Sequence, residues 1–170
     1  MNYKTETNHM IPTFVDDMNF AYQQYNVYDA LQNVGFSWSE DQLNQGFVRN
    51  ESSVSFRTLL DFGIGKVRAF VGPFSSEAEY GLAIAVPFLV RVGNVAIEGP
   101  EEILIVDRKI RLDPGNYRLV SAQSVKDEDT LLIDVFFEKL LNPVTASEIL
   151  ISHSTMNPPS KLIESADSSY

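Results

Sequence analysis

The stretch AYQQYNVYD, residues 21–29, sets three tyrosines close together with only amides, one valine and small or acidic residues around them. From Phe20 to Tyr28 the density of aromatic and β-branched residues predicts a strand, because such side chains fit a pleated, half-buried surface. The apolar parity is not constant. It runs through Phe20 and Tyr22 and then shifts to Tyr25 and Val27, and a bulge near Gln23 and Gln24 is expected to reconcile the two faces. A tyrosine strand of this kind belongs either to a core or to an adhesive surface, and the rest of the chain favours the core.

Outward from that stretch, Ser39 followed three residues later by Gln42 has the capping-box spacing, Glu40 and Asp41 suit a positive helix N-terminus, and Gly46 is a stop. One short helix is therefore expected, with Trp38 just before it placed to pack against Leu43. Beyond it the period becomes two. Val54, Phe56 and Thr58 alternate with polar residues, as do Val67 and Ala69, and Ile84, Val86, Phe88, Val90 and Val92 share a face with Pro87 opposite. Pro87 points to an edge strand or a bulge. Gly93 and Asn94 read as a two-residue hairpin, DPGN at 113–116 as a turn, and YRLVSA and LLIDVFFE as two strands separated by KDEDT. The pattern predicts an all-β fold, an antiparallel β-sandwich of about eight strands with one short helix and no βαβ rhythm.

With 170 residues, 44% of them hydrophobic, the chain can bury one sizeable core. One domain is expected over 19–141, preceded by an extension at 1–18 and followed at 142–170 by a polar, mobile tail. Thirteen Lys and Arg against 23 Asp and Glu give a formal charge of −10, so the average surface repels polyanions and direct nucleic-acid binding is not expected. There is no cysteine, hence no thiolate nucleophile and no disulfide framework. The longest apolar run, LAIAVPFLV at 82–90, is too short to span a bilayer, and the polar start MNYKTETNHM suggests a cytoplasmic protein without membrane insertion.

Motifs for chemistry are sparse. His9 and His153 fall in peripheral segments, which argues against a nucleophilic triad. GIGK at 63–66 lacks the glycine expected at position 60 and the Ser or Thr expected at 67, so it is not a phosphate loop. Asp61, Phe62 and Gly63 echo a kinase triplet without the other kinase signatures. Asp107 and Asp134 are acids inside strands that could form a hydrolytic pair only if the fold brought them together. Asp127, Glu128 and Asp129 lack the spacing of a calcium loop and read as a solvated tip. No catalytic residue, metal or cofactor is expected.

The acids gather in turns: Asp16 with Asp17, Glu40 with Asp41, Glu77 with Glu79, Glu98 with Glu101 and Glu102, and 127–129. If several of these turns share one end, they form a negative surface able to steer onto a basic cleft. A sandwich binding carbohydrate or another extended ligand on a face made by Tyr22, Tyr25 and Tyr28 is the alternative.

AYQQYNVYD, WSEDQLNQGF, SSVSF, VPF and DPGNYRL, in this order from about Phe20 to Phe137, resemble the competence protein J family. The resemblance rests on Tyr22, Gln24, Tyr25 and Val27, then Trp38, Gly46 and Phe47, then Phe56, Pro87 and Phe88, and finally Pro114, Gly115 and Tyr117. It implies a small inhibitor of a DNA-entry nuclease, cytoplasmic or membrane-proximal, with no chemistry of its own. The expected partner is a nuclease with a basic cleft; the resemblance does not say which residues touch it, and Glu98, Glu101, Glu102, Asp127, Glu128 and Asp129 are nominated from their turn positions. The resemblance leaves oligomeric state open.

Overall fold

The computed structural model of the protein describes residues 11–30, 35–76, 78–100, 109–143 and 146–166. Its strands are β1 Phe14–Phe20, β2 Gln24–Asp29, β3 Phe47–Arg49, β4 Ser53–Arg57, β5 Gly63–Val71, β6 Leu82–Val90, β7 Asn94–Glu98, β8 Lys109–Arg111, β9 Gly115–Asp127, β10 Thr130–Leu140 and β11 Glu148–Ile151, with one helix, α1 Glu40–Gln45, between β2 and β3. One sheet has the order β1-β5-β10-β9-β6-β11 and the other β3-β4-β2-β7-β8. Met18, Phe20, Val67, Leu131, Ile133 and Phe137 of the first sheet share a core with Tyr25, Val27, Phe47, Phe56 and Ile97 of the second.

This is a two-sheet β fold, but it is neither eight-stranded nor wholly antiparallel. β5 and β10 run parallel, Val67 opposite Ile133. Strands brought together from distant parts of the chain leave no trace of their relative direction in an alternation pattern. The additional strands include β3 and β11, of three and four residues, too short for a two-residue period to register.

The tyrosine stretch does not continue β1 through a bulge. β1 ends at Phe20, the chain reverses within Tyr22 and Gln23, and β2 enters the other sheet at Gln24. The shift in parity is the mark of that reversal. Gly93 behaves similarly: β6 and β7 lie in different sheets, so GN is the end of a crossing rather than a two-residue hairpin. β6 is an interior strand, yet β11 pairs only with Ala83–Ala85, which leaves Pro87 beyond the doubly paired stretch.

The helix has the expected caps. Ser39 Oγ accepts from Gln42 N at 3.2 Å, Gln42 Oε1 accepts from Ser39 N at 2.9 Å, and Gly46 closes the C-terminus with φ 89°. Its buried residues are Gln42 and Gln45, while Leu43 is 42% exposed. Trp38 is half-buried and donates its indole N–H to Gln24 Oε1 at 3.2 Å.

On the outer face of the six-stranded sheet a smaller cluster of Phe70, Ala83, Ala85, Val120, Ala122 and Phe136 lies under Phe74 and Tyr80. This explains why LAIAVPFLV is apolar on both parities: its strand is covered on both faces. Residues 146–166, where a mobile tail is expected, carry β11 and then reach the edge of the other sheet. Gln45 donates to Ile163 O at 3.0 Å and accepts from Ile163 N at 2.8 Å, and Ala166 N donates to Arg49 O at 2.6 Å. The segment adds β11 beside β6 as the last strand of one sheet and bonds to Arg49 of β3, the edge strand of the other, where unpaired backbone groups would otherwise template association.

Candidate partner interface

Three connections meet where β1, β4 and β9 end and β2, β5 and β10 begin. Tyr22 and Gln23 both adopt the left-handed region, with φ 56° and 53°, which is unusual for side chains of that size. The turn is locked to the β4–β5 loop: Gln23 N donates to Asp61 O at 2.9 Å, Thr58 N to Gln23 O at 2.9 Å, and Gln23 Nε2 to Asp61 Oδ1 at 2.5 Å. Buried Gln123 fixes the same loop from behind, accepting from Leu59 N at 3.0 Å and donating to Arg57 O at 2.9 Å. Ile64 N donates to Asp129 O at 2.8 Å. At Gly63, φ 150°, a Cβ would lie 2.1 Å from that carbonyl, so only glycine lets the β9–β10 tip rest here.

This locked assembly presents large apolar groups to solvent. Tyr22 is 74% exposed and Phe62 70%. Both line an open depression of about 870 Å³ with Ala21, Gln23 and Asp61. Asp127, Glu128 and Asp129 are exposed alongside. None of the ion pairs among the described residues involves these three acids or Asp61. Hydrogen bonding from Asp129, and then from Thr130, holds the Asp127 carboxyl below its usual range.

The structure disperses the other candidates. Glu98 is the last residue of β7, not a loop carboxylate; it is 2% exposed and accepts from Tyr28 Oη at 2.7 Å. Glu101, Glu102, Glu77, Asp107 and His9 lie outside the described residues. Asp16 and Asp17 belong to β1, with Lys66 3.5 Å from Asp17, and Glu40 and Asp41 to the first turn of α1. Asp134 is buried and occupied, bound by Arg68 through both oxygens at 2.8 and 2.7 Å and by Tyr80 Oη at 2.7 Å. It clamps the segment holding Tyr80 to the sheet. His153 is half-buried and bonds to Thr155. Among the described residues no group of three or more His, Cys, Asp or Glu could hold a metal ion, and no helix is long and apolar enough to cross a membrane.

The three tyrosines do not share a face. Tyr25 is fully buried and hydrogen-bonded to Ser121 across the core, and burial pushes its phenol far up. Tyr28 is half-buried on Glu98, its phenol raised by burial and then by that carboxylate. Only Tyr22 stands in solvent, so a ligand platform made of all three is ruled out. Nothing in the spacing of Tyr22, Asp61 and Phe62 along the chain marks them as a unit. The one available signal was Asp61-Phe62-Gly63 itself: an aromatic between an acid and a glycine, at the break between two alternating runs, marks a loop apex.

A family model described as Competence protein J (ComJ) matches residues 17–138. Among solved structures, the crystal structure of ComJ, inhibitor of the DNA degrading activity of NucA, from Bacillus subtilis, aligns with a TM-score of 0.65 at 15% identity, covering 78% of this chain and 99% of its own. Crocagin biosynthetic gene J aligns with a TM-score of 0.48 at 15% identity, over 72% of this chain and 96% of its own. No curated protein matches the sequence.

Proposed function

This chain belongs to the competence protein J family, and from that premise we propose that it is a non-catalytic inhibitor that blocks a nuclease by presenting loop carboxylates to the enzyme's basic substrate cleft. The Bacillus subtilis protein of similar fold, ComJ, is an inhibitor of the DNA degrading activity of NucA. The observation that carries the reading is the acidic end: Asp61, Asp127, Glu128 and Asp129 gather on two of three interlocked connections and form no ion pair among the described residues. Such a surface resembles a stretch of phosphates to a cleft built for DNA, and it accelerates encounter most at low salt. Asp127, Glu128 and Asp129, exposed at the β9–β10 tip, support this role. Buried Glu98 supports the neighbouring strand instead.

The test is a titration of the purified protein into a DNA-cleavage assay with the nuclease encoded beside its gene. Cleavage is expected to fall to background near equimolar protein. Undiminished cleavage at stoichiometric excess contradicts the reading.

A further inference from the structure

We propose that Tyr22 and Phe62 form an aromatic anchor that seats a lysine or arginine side chain from the rim of the nuclease cleft, with Asp61 as its counter-charge. The inference rests on the inhibitory reading above and goes further, assigning specificity and residence time to residues other than the acidic tip. Monomeric proteins seldom leave two large aromatics exposed on one depression without use, and these two line the same depression as Asp61. A cation above a ring face is attracted by the ring quadrupole, and a carboxylate at the border raises that preference over an apolar occupant. The backbone supports the assignment. Tyr22 and Gln23 are held at positive φ by hydrogen bonds to the Asp61 loop, so the ring is presented at a fixed place at the cost of local strain. A second copy of this chain is a poor occupant, because the −10 charge and the exposed acids 127–129 at the same end repel it.

Electrostatic steering acts on association, whereas a desolvated anchor acts on dissociation, so the two contributions separate kinetically. The test measures inhibition and the association and dissociation rates with the nuclease encoded beside the gene, for the wild type, Tyr22→Asn, Tyr22→Phe, Phe62→Ser and Tyr22→Asn/Phe62→Ser. Asparagine tolerates the left-handed turn, so the fold survives, and thermal melting checks this. Dissociation is expected to accelerate at least tenfold in the double variant, with association and its salt dependence little changed and Tyr22→Phe close to wild type. Wild-type inhibition with every variant dissociating at the wild-type rate overturns the anchor and leaves the inhibitory reading standing. Absence of inhibition by the wild type overturns both. A dimer of the free protein that the double variant abolishes also overturns the anchor, since the rings then serve self-association.

Discussion

At one end of the molecule a carboxylate is sealed beneath the turn it organises; at the other, carboxylates stand in solvent around two exposed rings. Asp29, fully buried at the end of β2, accepts from Ala30 N and Gly93 N at 3.0 Å and from Arg91 N and Val92 N at 2.7 Å. Acids nearby are paired, Glu51 with Arg91 and Glu164 with Arg49. At the opposite end the loops are equally well fixed by backbone hydrogen bonds, yet Asp61 and Asp127–Asp129 have no ion-pair partner among the described residues. Under the proposed inhibition, order without neutralisation marks the surface offered to a partner. Acid count alone does not, because the same residue type serves both ends.

Substitutions should therefore separate stability from inhibition. The largest effect is expected at the sealed end, where Asp29→Ala strands several buried N–H groups and should lower stability by about 3–5 kcal/mol in urea unfolding, while the molecules still folded inhibit normally. Next comes the core between the ends. Burial raises the phenols of Tyr25, Tyr28 and Tyr80 above their ordinary value of 10.0. Unfolded tyrosines ionise near pH 10 while these stay neutral in the fold, so stability is intact below that pH and falls as pH climbs past it. Tyr25 should supply a slope of up to about 1.4 kcal/mol per pH unit, which Tyr25→Phe removes in alkaline melting curves. At the open end the sign reverses: Tyr22→Asn relieves a strained turn and should leave stability unchanged or raise it by up to about 1 kcal/mol, even as inhibition weakens. The smallest effect belongs to the exposed Arg91–Glu51 pair, where Arg91→Ala should cost less than about 0.5 kcal/mol. An Arg91 variant that lost inhibition would erase the distinction between the ends.

Much of this architecture is legible in the residues. Alternation at Val67 and Ala69 or at Ile84, Val86 and Phe88 marks core-facing strands, and Ser39, Gln42 and Gly46 mark the helix caps. The tip at 127–129 is visible as charge between two apolar runs. What is not legible is which sheet a strand joins. QQ at 23–24 reads as a bulge, GN at 93–94 as a hairpin and DPGN at 113–116 as a turn, and each place turns out to be a crossing between sheets, because local turn chemistry does not record the pairing that follows it. The burial of Glu98 and Gln45 was equally hidden, since their partners, Tyr28 for one and Phe47 and Ile163 for the other, include groups supplied by tertiary packing. The exposure of Tyr22 depends on a left-handed backbone that tyrosine seldom adopts, so its composition argued for the core.

The central claim is that the open end meets a cationic cleft through its unneutralised carboxylates. Its most direct test is the association rate with the neighbouring nuclease as a function of ionic strength, for the wild type and for the triple variant Asp127→Lys/Glu128→Lys/Asp129→Lys. The wild-type rate should fall steeply with salt, and the variant should associate about ten- to a hundredfold more slowly at low salt with a flattened dependence. Equal rates and equal salt slopes for the two proteins would place these acids off the interface and contradict the account.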